Sequence, residues 1–169
     1  MSDADGGSYT LVVGLPNEAT VTAGALGEHR LPAGAYAYTG SALGAGGFSR
    51  VDRHRRTARG DHDVRHWHVD YLLGHSAARV HRVVRSVGVD VECAVAERLP
   101  AGPIDGFGAS DCDCPSHLAA GDASEAEESG RDRAALDALA ERALAAHEAA
   151  VAASGDPDAI VEVVAGSEA

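Results

Sequence analysis

The run Tyr9–Leu15 (YTLVVGL) is β-branched and aliphatic and stops at Pro16, a residue that cannot continue a sheet ladder. A second run, Ala35–Gly40 (AYAYTG), alternates small residues with tyrosine. These two runs predict strands, and period-two alternation puts Tyr36 and Tyr38 on one face. Between them, Thr20–Ala23 and Glu28–Leu31 flank Gly24 and Gly27 and predict a weaker hairpin, followed by a turn at Pro32–Gly34.

After the Gly44–Gly47 loop the period changes. Phe48–Ala58 has helical spacing, which aligns Arg50, Arg53, His54 and Thr57 along one side. Trp67–Leu73 predicts a second short helix that gives Trp67, Tyr71 and Leu72 or Leu73 to the core. Arg79–Val87 reads as a strand, and Asp90 is placed to cap a helix over Val91–Leu99, with Glu92 in its first turn. Residues 100–106 form a loop, and Phe107–Leu118 (FGASDCDCPSHL) is a compact irregular segment rich in metal-ligand types. Ala119–Gly130 offers almost nothing to bury and predicts an acidic, mobile linker. Arg131–Ala153 predicts an alanine-rich amphipathic helix that packs on the core or meets a partner; Ile160–Val164 is too short to classify.

All 14 basic side chains are arginine and the net charge is -12. A lysine-free, acidic, alanine-rich chain fits a salt-rich cytoplasm and a GC-rich genome. The charge is segregated. Residues 30–85 carry 10 arginines against 4 acids, whereas residues 119–169 carry 12 acids against 3 arginines. A basic segment within an acidic protein is the footprint expected where a polyanion docks; the bland reading is an arginine-rich solvated face. The polar, acidic start, Met1–Ser8, lacks the pattern of a signal peptide, and no apolar stretch reaches the roughly 20 residues of a membrane span, so a soluble cytoplasmic protein with no membrane partner is expected. Three cysteines, two in a tight Cys-x-Cys, fit a reducing compartment.

The residues suited to chemistry follow one order: Gly7-Ser8-Tyr9, Tyr38-Thr39-Gly40-Ser41, Arg50-x-x-x-His54 and Glu92. Read singly, Tyr9, Tyr36 and Tyr38 are ordinary strand tyrosines, and Glu92 complements a helix dipole. As a set they resemble the GIY-YIG nuclease superfamily. The segments GAYAYTGSALG, HWHVDYLL, ECAVAERL and FGASDCDCPSHL are similar to its small Uri-type branch, long catalogued as a domain of unknown function. The likeness covers about residues 7 to 118.

The resemblance implies an α+β fold: a small three-stranded antiparallel sheet flanked by helices. To this the chain adds an inserted hairpin and a C-terminal helix, giving a nuclease-like domain over 1–118, a linker over 119–130 and a helix with tail over 131–169. It also implies roles. Glu92 would hold one Mg2+ or Mn2+ ion, Arg50 would neutralise the scissile phosphate, Tyr9 would orient the attacking water with support from Tyr38, and His54 would relay a proton. Ser41, Arg53, Arg55, Arg56 and His68 are candidates for contact with the nucleic acid, which is expected to be DNA, with RNA left open. The chemistry of each type agrees: carboxylate is a hard oxygen ligand for Mg2+, and guanidinium meets phosphate with two donors. Ser8 and Thr39 replace isoleucines of the superfamily motifs, and both are expected to face away from the site. The 29-residue separation of Tyr9 and Tyr38 is longer than usual, as an inserted hairpin would make it.

Two clusters stay open. His66 and His68 in HWHVD diverge on a helix but share a face if extended; His68 or Asp70 could line a groove or bond to the Cys-rich loop, or His66 and Asp70 could simply cap a helix start. Cys112-x-Cys114-x-x-His117 offers three corners of a tetrahedral zinc site, with His66 or His68 as fourth; the alternative is a cysteine loop packed on the core. Cys93 reads as a small buried residue. The main alternative to a nuclease is a binding module of the same fold, zinc-braced and without cleavage.

Overall fold

The computed structural model of the chain describes residues 6–15, 18–22, 26–43, 46–58, 72–73, 78–100, 102, 104, 106–107, 114, 116–121 and 133–165. The fold is α+β, an antiparallel sheet with helices on both faces and a C-terminal helix. Strands β1 (Gly7–Leu15), β4 (Gly34–Ser41), β5 (Arg79–Val87), β6 (Leu118–Ala120) and β7 (Ile160–Ala165) form one sheet in the order β6-β4-β1-β5-β7. The expected three strands are its centre, β4-β1-β5. β6 and β7 widen it to five, because the edges of both β4 and β5 find short partners far along the chain. The inserted hairpin is present as a separate two-stranded sheet, β2 (Ala19–Thr22) with β3 (Glu28–Leu31).

All nine residues of β1 are buried. The central strand of a sheet covered on both faces has no polar side to alternate with, which is why its sequence runs apolar rather than strictly period-two. The alternation still decides which layer each side chain enters. Tyr9, Leu11, Val13 and Leu15 join Tyr36, Tyr38, Val83 and Val87 in one core layer, under Phe48, Val51 and Ala58 of helix α1 (Ser49–Ala58) and its approach. Val12, Ala35, Ala37 and Val84 point into the other layer, under α2 (Glu92–Ala96) and α3 (Arg133–Ser154).

Helix α3 packs on the sheet. Leu136, Leu139, Ala143, Ala146 and Ala150 recur every three or four residues and, with Ala135, are buried against it. A mostly alanine stripe brings the helix axis close to the strands, so each position removes little apolar area and the contact depends on its length. The boundary drawn at 118/119 falls inside β6, while 122–130 of the expected linker lies outside the described residues.

Helix α2 is shorter than the expected Val91–Leu99. Arg98 and Leu99 donate to Val95 and Ala96, three residues back, so the last turn tightens before Pro100. Asp90 does not cap it: Val91 is the N-cap and makes no side-chain cap bond, its own N–H being taken by Ser8 Oγ at 2.8 Å. Of the helix expected over Trp67–Leu73, Leu72 and Leu73 are described, helical and fully buried. Among the described residues, no helix is long and apolar enough to cross a membrane.

Candidate active site

Strand pairing sets Tyr9 opposite Gly40, so Tyr9 and Tyr38 emerge side by side on the face that α1 covers. Their rings lie 6.3 Å apart, and His54 of α1 reaches both, with ring centroids 5.7 Å from Tyr9 and 6.5 Å from Tyr38. The Tyr9 hydroxyl and His54 Nε2 share a buried hydrogen bond of 2.8 Å. Phe107 closes the far side, edge-on to Tyr38 at 6.0 Å. Gly40 is required here, since a Cβ would sit 2.6 Å from the Tyr9 hydroxyl oxygen and 3.0 Å from Cε2 of Tyr38. Three residues from three elements, separated by up to 45 positions in the chain, therefore converge. Tyr36 is a different kind of tyrosine: its hydroxyl donates to the Pro32 carbonyl at 2.5 Å, and burial pushes its pKa up to about 12.

Arg50 lies one turn before His54 on α1, and its guanidinium donates to the Ser41 carbonyl. The expected nucleic-acid contacts divide. Ser41 spends its carbonyl on Arg50, Arg53 is half-buried, and Arg56 is exposed and paired with Asp52 at 3.5 Å. The Arg55 side chain and His68 lie outside the described residues. Arg85, one of the ten arginines of the basic segment, is turned inward, 7 % exposed, over the Phe48 ring and paired with Glu162 of β7. One arginine of the basic segment is thus paired with the acidic tail.

Glu92 comes from the short helix that follows β5. It opens α2, and its carboxylate lies 3.7 Å from Nδ1 of the buried His117. His117 precedes β6 and accepts the Thr39 N–H at its carbonyl, 3.0 Å away. That bond ties His117, and with it the Glu92 contact, to the strand that carries Tyr38. The replaced motif positions face away from the tyrosines as expected. Ser8 bonds the start of α2, and Thr39 bonds Thr10 at 2.9 Å.

Around His117 the ligand atoms of Cys93, Cys114 and His117 all lie within 4.8 Å of one another, close enough to hold a metal ion. Neither cysteine is in a disulfide. Burial lowers the pKa of His117, opposed by a backbone hydrogen bond at Thr39, which favours the neutral, ligating imidazole. Cys114 and His117 were expected in such a cluster. Cys93 corrects its reading as a small buried residue: it is half-buried and supplies the third donor, while Cys112 lies outside the described residues.

With this geometry in place, the model of the family described as domain of unknown function DUF123 matches residues 8–139. The chain belongs to that family. The match runs past the tyrosines, Glu92 and His117 into α3, so the first turns of that helix are part of what the family shares. No curated protein and no solved structure matches the chain.

One buried group had no place in the sequence reading. His147 of α3 is fully buried, with Nε2 2.8 Å from Thr10 Oγ1 and Nδ1 2.6 Å from Ser86 Oγ. Burial drives its pKa down to about 4. The available signal was the row of small hydroxyls, Thr10, Thr39 and Ser86, at inward positions of three strands, which require a polar partner in the layer above.

Proposed function

We propose that this DUF123 protein is a divalent-metal-dependent endonuclease of GIY-YIG type that hydrolyses DNA phosphodiester bonds. The observation that carries the reading is the buried Tyr9–His54 hydrogen bond beside Tyr38 and Gly40, with Arg50 one helical turn away. The resemblance names these same side chains as catalytic, and strands and a helix distant in sequence bring them together.

In this reading His54 holds the Tyr9 phenol in orientation and takes or returns its proton, so that Tyr9 directs water toward phosphorus. Tyr38 and Phe107 fix the rings. Arg50, freed from the Ser41 carbonyl, turns to the phosphate, where a guanidinium offsets charge that develops in the transition state. Glu92 is a single carboxylate, 24 % exposed, which suits an ion that keeps most of its waters and takes one or two carboxylates from protein. Mg2+ or Mn2+ there would polarise the phosphate and stabilise the leaving oxygen. For the cysteine–histidine cluster, two thiolates and an imidazole favour zinc over Mg2+. In a salt-rich cytoplasm counterion release adds little affinity, which favours a bent, branched or damaged duplex as substrate.

A second reading, a nucleic-acid-binding module without cleavage, is favoured by one observation: Tyr9 and His54 are each 1 % exposed. Nicking of supercoiled plasmid with Mg2+, Mn2+ or EDTA across a salt series tests the choice. The enzyme nicks with metal, and Glu92→Gln loses nicking while keeping most of its DNA affinity; a binder retains DNA and never nicks.

A further inference from the structure

We infer that Cys93, Cys114 and His117 hold a zinc-class ion whose imidazole ligand fixes the Glu92 carboxylate, so that this site positions the acidic group at the start of α2. The inference extends the reading of Glu92 as the Mg2+ carboxylate and rests on it for the consequence in catalysis.

Cys93 Sγ and His117 Nε2 are 3.9 Å apart. Around a tetrahedral zinc with Zn–S of about 2.3 Å and Zn–N of about 2.0 Å, sulfur and nitrogen ligands sit about 3.6 Å apart, so the two close on an ion by moving a few tenths of an ångström. The cysteine thus faces the Nε2 side of the ring. Glu92 faces the other nitrogen, Nδ1, at 3.7 Å, an ion-pair distance rather than a hydrogen bond. This is the arrangement in which a ligating histidine presents its second N–H to a carboxylate, and a cation on one nitrogen makes the N–H on the other a stronger donor. Loading the site therefore draws Glu92 onto His117.

Covalent connectivity strengthens the link. Cys93 and Glu92 are adjacent on α2, while Cys114 and His117 precede β6, so one ion ties the helix start to the sheet edge beside Thr39. A cavity of about 260 Å³ adjoins the cluster, lined by Leu99, Pro100, Gly102, Cys114, Ser116 and His117, and gives an ion a way in.

Metal content and affinity test this directly. Elemental analysis of the purified full chain is expected to give one zinc per chain, lost in Cys93→Ser and in Cys114→Ser. Competition with a chromogenic chelator is expected to show zinc affinity falling about ten- to hundred-fold in Glu92→Gln, the range for losing the carboxylate behind a ligating histidine. Should the serine variants fail to fold, titration of the chelated wild-type chain with Co2+ reports thiolate ligation by its charge-transfer absorption. Zinc content unchanged by both cysteine substitutions, no thiolate–cobalt absorption, or zinc affinity indifferent to Glu92→Gln overturns the inference. None of these readings uses cleavage: a chain that binds zinc in this Glu92-dependent way yet never nicks DNA sinks the nuclease reading alone.

Discussion

Gly40 lies directly across β1 and β4 from Tyr9, at a distance that leaves no room for a methyl group below the phenol. Gly40→Ala forces the Tyr9 ring to shift and should cost about 1–3 kcal/mol, as overpacking in a tight core does. The consequence expected for function is larger than for stability. Displacing the hydroxyl from His54 should remove nicking as fully as Tyr9→Phe does, while DNA affinity stays close to wild type. Thermal melts, plasmid nicking and DNA binding on the two variants check this; wild-type nicking by Gly40→Ala would mean that the Tyr9 position does not matter to cleavage.

The network under α3 makes stability depend on acid. His147 is neutral in the folded protein down to about pH 4 but would protonate near pH 6.5 when unfolded. Its contribution is therefore fully present above pH 6.5 and is lost as pH falls toward 4, by roughly 3 kcal/mol in total. Urea unfolding at pH 7.5 and pH 4.5 should show the loss in wild type and a flatter profile in His147→Gln. An identical pH slope in the two proteins would remove His147 as the cause.

The C-terminal third is part of the fold, so its removal should be costly. Ending the chain at residue 121 deletes α3 and β7, uncovers Val12, Ala37 and Val84, and leaves Arg85 in place without Glu162. Such a chain is expected to lose its cooperative thermal transition by circular dichroism. A cooperative melt at the wild-type temperature would show that the helix is an appendage.

How far the sequence went can be seen in particular residues. β1, β4, β5 and α1 were legible because their patterns are local: β-branched runs ended by Pro16 or Gly40, and helical spacing of Arg50 and His54. β6 and β7 were not, because three and six residues carry no period of their own; they are strands because Leu118 meets Tyr38 and Val163 meets Val84 in register. The Tyr9, Tyr38 and His54 convergence was legible through the order of motifs. Cys93 was missed because the neighbouring Cys112 and Cys114 drew attention to one loop, whereas the partner comes from a helix some twenty residues earlier. The contact of Glu92 with His117 was not legible, because the position of His117 depends on how β6 pairs.

Cleavage itself is the decisive property to measure. Purified full-length protein and its Glu92→Gln variant, incubated with supercoiled plasmid in Mg2+ and separately in EDTA, are compared for nicked product and for DNA bound. The nuclease account predicts nicking by wild type in Mg2+, none in EDTA, and none by Glu92→Gln at comparable DNA binding; equal nicking by wild type and Glu92→Gln, or bound but intact plasmid under every metal and salt condition, would contradict it.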